Sequence, residues 1–322
     1  MSVTRTEQAP EKTAVLFPGL SPARHSRVAD FLNDYAPAAR MVRQVEDVLG
    51  YGLMEKYRTA EVYDWEVYQT AHLVTGLALA DAHLRLARSA GSDVVDQAVI
   101  CGQSFGSFAA AVFAGACELD ELVRLLRVSI DVETAYFAEQ EELACVFFTR
   151  VSGELRDALM QDVVEKGGGW LDLSVAQDRG VTAVSGTRPA VDELARRLKD
   201  HRGVVFYVMN RAEHCARMAS LVHRLKTEVY ADAALHNPQR PLLSDDGRLL
   251  QTADDVREDL SAGWSRPLLS EELYLALLTR DVTHIVTPAS RGSSTDFGSG
   301  RFRIETLLPN QTLAQLRSAS LA

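Results

Sequence analysis

One stretch, Ala98-Val99-Ile100-Cys101-Gly102-Gln103-Ser104-Phe105-Gly106-Ser107-Phe108-Ala109-Ala110-Ala111, narrows the architectures open to this chain more than any other. A short β-branched run leads into Gly102-x-Ser104-x-Gly106, and an alanine-rich segment without proline follows. That is the sequence form of a nucleophile elbow, a strand that turns sharply into a helix with a serine at its apex. The residue types follow from the geometry of such a turn. Strand and helix approach closely on either side of the serine, so its flanking positions must lack side chains. The helix N-terminus then brings backbone N–H groups and the positive end of its dipole beside the serine oxygen.

Composition sets the outer bounds. With 322 residues the chain is long enough for one large domain or two unequal ones, and 47% hydrophobic and 24% charged residues are ordinary for a soluble globular protein. A formal net charge of -10 argues against a nucleic-acid partner, which calls for a basic face. Residues 1–12 are polar and lack the apolar region of a signal peptide, and no apolar run approaches the ~20 residues of a membrane span. A cytoplasmic, membrane-free protein is expected. Cys101, Cys117, Cys145 and Cys215 are scattered without a C-x-x-C pair, so they read as reduced thiols rather than disulfides or zinc ligands. Neither a P-loop nor a G-x-G-x-x-G occurs, which leaves nucleotide binding without support.

Taken in order, residues 13–17 read as a buried strand stopped by Pro18-Gly19. Pro18-Gly19-Leu20 either presents a backbone N–H at the carboxyl edge of a parallel sheet or simply ends the strand. Residues 26–50 and 65–90 read as helices, and within the second His72 and His83 read as packed or surface histidines. Residues 119–142 are another helical pattern. From 143 to 206 the order is β-α-β-β-α-β, the split βαβ arrangement of ferredoxin-like units. The expected fold is therefore α/β. An α/β-hydrolase-like large subdomain with a parallel sheet spans 1–142 and 207–322, and a ferredoxin-like small subdomain, 143–206, is inserted. Farther on, a helix to about residue 234 is broken by Asn237-Pro238, and a brief strand follows at 241–244. Helices at 253–262 and 270–280, a last strand at 283–287 and a Gly/Ser-rich connector at 288–300 complete the pattern.

A serine nucleophile needs a base, usually histidine. Among His25, His72, His83, His201, His214, His223, His236 and His284, the favoured one is His214, at a loop-to-helix transition beyond the inserted subdomain. Five separated segments then resemble the malonyl-CoA:acyl-carrier-protein transacylases and the acyltransferase domains of polyketide synthases. Phe17-Pro18-Gly19-Leu20 resembles the family's F-P-G-Q, Gly102-Gln103-Ser104-Phe105-Gly106 its G-H-S-x-G, and Val184-Ser185-Gly186 its V-I-S-G. Arg211-Ala212-Glu213-His214-Cys215-Ala216-Arg217-Met218 resembles x-A-F-H-S-x-x-M, and Pro241-Leu242-Leu243-Ser244 resembles the P-V-x-S that follows. The segments fall in family order and span nearly the whole chain.

The resemblance implies a Ser104–His214 dyad and ping-pong acyl transfer. The acyl group would rest on Ser104, and the oxyanion would be held by the backbone N–H groups of Leu20 and Phe105. His214 would be oriented by a backbone carbonyl near Gly263 or Trp264. It implies no bound cofactor and no metal. Substrates would ride on the 4′-phosphopantetheine of carrier proteins, with coenzyme A as a further possible donor.

The departures from the family pattern carry information about substrate. The arginine that holds the malonyl carboxylate in the family falls here at Ser129, and Arg127 points to another helix face, so the implied acyl group is not malonyl. Gln103, Arg211 and Glu213 replace the family's usual residues, and with Ser129 they are the expected substrate-binding positions. Their polarity suits amide or amine groups; alternatively Arg211 and Glu213 pair with one another at the surface. The pattern is most similar to discrete acyltransferases that move aminoacyl or dipeptidyl units between carrier proteins in macrolactam polyketide biosynthesis.

Acidic carrier proteins are the implied partners, and the chain is expected to be a monomer that binds no nucleic acid or membrane. Candidate carrier contacts are Arg150, Arg196, Arg197, Lys199 and Arg202 on the small subdomain, with Arg301 and Arg303 near the cleft. The run from 196 to 202 also reads as a solvated helix face. The competing functions are an editing acyl-carrier hydrolase, a malonyl-CoA:carrier transacylase and a catalytically silent docking module. A conventional α/β-hydrolase would place its histidine near the C-terminus.

Overall fold

The computed structural model describes residues 12–321 apart from 22, 62, 94, 96, 178–179 and 291–299. The polar N-terminal stretch and most of the Gly/Ser-rich connector thus lie outside the described residues. The described strands are β1 (Lys12–Phe17), β2 (Val99–Gly102), β3 (Leu143–Thr149), β4 (Leu171–Ala176), β5 (Thr182–Thr187) and β6 (Val204–Met209). They continue with β7 (Leu242–Leu243), β8 (Leu249–Leu250), β9 (Leu268–Leu269), β10 (Val282–Pro288) and β11 (Arg303–Leu307).

The large sheet has the order β11-β10-β1-β2-β7-β8 and is parallel except for the β7–β8 hairpin. Helices cover both faces, as a parallel sheet requires. Alternation along β1 sends Ala14 and Leu16 to one core, with Tyr274 and Leu277, and Val15 and Phe17 to the other, with Leu73, Val74 and Ile100. The helix Trp65–Ser89 is continuous for 25 residues and buries side chains around most of its circumference. All four cysteines are free and buried.

β1 and β2 pair with Phe17 opposite Gly102, so both strands end at the same edge. That register sets the loop Pro18-Gly19-Leu20 beside the turn that carries Ser104. The helix Gly106–Phe113 leaves the turn so close to β1 that a Cβ on Gly106 would run into the carbonyl oxygen of Phe17. A Cβ on Gly102 would meet the backbone of Gly106 and Ser107. Both glycines are therefore steric requirements, as the motif predicts.

The small sheet has the order β6-β3-β5-β4-β9. Its first four strands are antiparallel, and with the helices Gly153–Gly167 and Arg188–Asp200 they form the split βαβ unit. β9 adds to β4 in parallel from beyond residue 206, which the sequence reading does not anticipate. Two-residue strands such as β8 and β9 carry no periodicity to detect. β11 and the terminal helix Pro309–Ser318 are also additions to that reading, because β11 mixes charge into a half-exposed edge.

Gly106→Ala should lower stability by about 2–4 kcal/mol in urea unfolding, through the clash with Phe17. Gly167→Ala, where an added Cβ meets nothing within 4 Å, should stay within about 0.5 kcal/mol of the parent.

Candidate active site

Ser104 lies two residues beyond β2 and adopts left-handed backbone geometry (φ 52°). His214, reached from the far end of β6, does the same (φ 53°). Each such residue costs about 1–2 kcal/mol, so the surrounding structure must impose it. Those two residues meet: Ser104 Oγ is 2.7 Å from His214 Nε2.

The imidazole is held from behind. His214 Nδ1 lies 3.2 Å from the carbonyl oxygen of Arg266. A carbonyl only accepts, so Nδ1 carries the proton and Nε2 is left to accept from the serine hydroxyl. This corrects the expected orienting carbonyl near Gly263 or Trp264. The Trp264 oxygen accepts from the N–H of Cys215 instead, at 3.1 Å, and the 3-10 turn Gly263–Ser265 leads into Arg266, whose carbonyl meets the ring.

Arg266 is itself anchored, its guanidinium 2.6 Å from Asp245 and 2.9 Å from Asp259, with Asp246 at 3.2 Å. Burial, reinforced by neighbouring Asp245, pushes the Asp259 carboxyl up to about 6. On the other side of His214, Ser185 of β5 pins the preceding residue. Its hydroxyl donates to the Glu213 carbonyl and accepts from the Glu213 N–H, both at 2.9 Å, and it accepts from Ser174 at 2.7 Å. The small sheet thus fixes where the histidine enters.

Gly19, next to Leu20, comes into contact range of Ser104, and no carbonyl of the described residues engages the backbone N–H of Leu20 or Phe105. His72 braces both segments, although its sequence pattern reads only as packing. Its Nε2–H faces the Pro18 carbonyl at 3.3 Å, and its ring packs edge-on against Phe105 at 5.8 Å. Burial drives its pKa down to about 4, so it stays neutral.

Ser104 and His214 open into a cleft. Gln69, Leu126, Glu133, Arg211, Glu213 and Tyr230 are among the residues lining it, with Asp245, Asp259 and Trp264 on another wall. Arg211 is 93% buried by its 7% exposure, and its guanidinium lies between two indoles, 4.0 Å from Trp65 and 4.7 Å from Trp264. Its Nη1 donates to Glu133 at 3.0 Å, while its Nε is buried without a hydrogen-bond partner. The expected alternative, a surface pair of Arg211 with Glu213, is corrected: Arg211 is buried and paired to Glu133. The Glu213 carboxylate makes no ion pair with the described residues. An orphaned buried donor costs about 1–3 kcal/mol, which a bound acceptor relieves.

Two expected substrate-binding positions lie outside this lining. Gln103 is buried and donates to Ser270 at 2.8 Å, because the turn that exposes Ser104 sends its neighbour inward. Ser129 is buried beside the Tyr230 phenol, which stands in the cleft in its place. The π turn Leu225–Val229 ends the helix early and brings Tyr230 there. Arg127 pairs with Glu66 at 3.2 Å on another face of its helix, as its spacing predicts.

The expected carrier contacts divide. Arg150, Lys199 and Arg202 are exposed and form no ion pair with the described residues. Arg196 and Arg197 are tied to Glu193, with Asp200 and Asp162 as second partners. Arg301 pairs with Glu271, and Arg303 donates to His284 at the amino end of β11, away from the carboxyl edge that carries Ser104. Among the described residues no cluster of three or more His, Cys, Asp or Glu could hold a metal ion, and no helix is long and apolar enough to cross a membrane.

No protein-family model matches the sequence, and no curated protein does. Solved structures do. FabD from Acinetobacter baumannii superposes with a TM-score of 0.78 at 18% identity, over 97% of this chain and 99% of that one. MCAT from Streptococcus pneumoniae gives 0.76 at 19%, over 95% and 99%. A malonyl-transacylase in complex with its type II PKS acyl-carrier protein gives 0.79 at 18%, over 95% and 99%. The fold is theirs. It comprises a large α/β subdomain and a small one along the full length of the chain.

Asp259→Asn should loosen Arg266 and with it the tautomer of His214. Steady-state kinetics should show kcat about 3–30-fold lower with KM within about twofold, as for a lost interaction acting on the base alone.

Proposed function

We propose that the protein is an acyltransferase that moves a non-malonyl acyl group, an aminoacyl or dipeptidyl unit, between acyl carrier proteins through an acyl-Ser104 intermediate in polyketide or macrolactam biosynthesis. The observation that carries this reading is the 2.7 Å Ser104–His214 contact at the head of a cleft whose described lining cation, Arg211, is already paired. The likeness to transacylase structures, one of them titled as a complex with an acyl-carrier protein, supports the thioester and carrier part of the proposal.

In the first half-reaction His214 Nε2 takes the hydroxyl proton as Ser104 Oγ attacks the thioester carbonyl. The oxyanion is assigned to the N–H groups of Leu20 and Phe105, which no carbonyl of the described residues engages. Collapse expels the donor thiolate, which recovers the proton from His214. The acceptor's phosphopantetheine thiol then gives its proton to His214, attacks the acyl-serine ester and restores the Ser104 hydroxyl. The Arg266 carbonyl stabilises the imidazolium in both halves by accepting from Nδ1–H. An acyl-coenzyme A is a thioester of the same chemistry and an allowed donor, with the coenzyme A thiol as leaving group.

The cleft chemistry supports an amine- and amide-bearing cargo. The Glu213 carboxylate faces the cleft as an acceptor for an ammonium, and Arg211 Nε–H is a donor for an amide carbonyl. Carrier proteins are acidic, and the exposed Arg150, Lys199 and Arg202 supply complementary charge at the small subdomain, for which we retain the boundaries 143–206. A malonyl cargo is the second reading, favoured by the malonyltransferase structures the chain resembles.

Intact-mass measurement after exposure to a panel of acyl thioesters tests the proposal. The wild type should gain an acyl adduct and Ser104→Ala none, while His214→Ala should acylate about 10²–10⁴-fold more slowly. An acylated carrier incubated with an unacylated one should yield the acylated acceptor. Free acid alone would make the protein a hydrolase, and malonyl as the best donor would overturn the cargo assignment.

A further inference from the structure

The geometry points to Glu133 as a specificity-determining residue: its carboxylate occupies Arg211 from within the protein and so excludes donors whose acyl group itself ends in a carboxylate. This inference rests on the acyl-transfer reading and adds to it the means of discrimination. Arg211 sits where a cleft would bind an anion. It lines the same cavity as Ser104, it is desolvated, and its guanidinium packs against the rings of two tryptophans, Trp65 and Trp264. A bare guanidinium in such a place is a carboxylate receptor, because planar forked donors match a carboxylate's two oxygens.

Glu133 cancels that property. It projects from the helix Leu119–Ala138, is itself 7% exposed, and accepts from Arg211 Nη1 at 3.0 Å across 78 residues of sequence. An incoming carboxylate would meet a neutralised arginine, the Glu133 charge beside it and Glu213, which pairs with no cation of the described residues and lines the same cavity. Like charges that close in a dry cleft cannot all stay ionised without loss of binding. A neutral or cationic acyl group meets no such penalty. The discrimination thus comes from a repulsive element as much as from an attractive one.

The groups that act on Glu133 are Arg211 and Glu213 on the segment before His214 and Tyr230 beyond the π turn, and Gln69 of the helix Trp65–Ser89 lines the same cavity. His214, Asp245 and Asp259 lie on the rest of the lining. Burial, which outweighs the attraction of Arg211, pushes the Glu133 carboxyl up to about 7. Above that pH the carboxylate is ionised and neutralises Arg211; below it Glu133 is protonated and no longer offsets the guanidinium charge, while a malonyl carboxylate remains ionised.

The test measures Ser104 acylation by malonyl- and acetyl-N-acetylcysteamine thioesters at pH 8 by intact mass, taken as the malonyl-to-acetyl rate ratio. Taking the ratio cancels the titration of His214, which serves both donors. Glu133→Gln, which keeps an acceptor for Arg211 but removes the charge, should raise the ratio about tenfold or more. Glu133→Ala should raise it too, and the double variant Glu133→Gln/Arg211→Gln should return it to the wild-type value or below. In the wild type the ratio should climb as pH falls from 8 to 6, and in Glu133→Gln it should climb less, since only the other lining carboxyls such as Asp259 then titrate. Glu133→Ala serves where Glu133→Gln does not fold. A ratio within twofold of wild type in acylated Glu133→Gln, or in acylated Glu133→Ala where that variant alone folds, overturns the role of Glu133 and leaves acyl transfer standing. If no thioester, aminoacyl donors included, labels Ser104 in the wild type, the acyl-transfer reading itself fails and this inference falls with it.

Discussion

The parallel, in-register pairing of β1 with β2 is the contact on which the rest of the site depends. With Phe17 opposite Gly102, the two strands end together, and their next residues are the oxyanion-loop candidate at Leu20 and the serine turn. The pairing also brings the helix Gly106–Phe113 so near β1 that only glycine fits at 106. The buried apolar alternation of β1 makes the register hard to slip, since a shift by one residue would exchange its two faces. A strained serine can persist there because strand, loop and helix all define its position.

The histidine half is assembled differently, from pieces that share no local sequence. β6 brings the chain in, Ser185 pins the residue before His214, and Arg266 presents a carbonyl whose placement rests on Asp245 and Asp259. The fifth strand of the small sheet, β9, follows Arg266 directly, so the segment that orients the imidazole is also stitched to the small subdomain. Both subdomains therefore contribute to the Ser104–His214 pair, the large one the serine and the small one much of the frame for the histidine.

Much of this was legible in the residues. The elbow, the β-α-β-β-α-β order and the buried helix from residue 65 follow from steric needs and hydrophobic period, which are properties of short windows, while the pairing partner of Ser104 comes from the resemblance of motifs ordered along the chain. The substrate side was less legible. Gln103 turns inward, Ser129 is covered by Tyr230, and Arg211 finds Glu133 rather than its sequence neighbour Glu213. Nothing in a window around 211 announces a partner 78 residues earlier. His72 was passed over for the same reason, since its role comes from the Pro18 carbonyl that β1 delivers above it.

By itself, then, the sequence determined a glycine-flanked serine at the end of a buried strand and a ferredoxin-like insertion before a histidine, because chain sterics and apolar periodicity act over a few residues. Tertiary structure alone decided which carbonyl orients that histidine, which carboxylate neutralises the cleft arginine and which side chains line the cavity. Those outcomes depend on the burial of charges contributed by distant segments, and an ion pair exists only once folding has removed both partners from water.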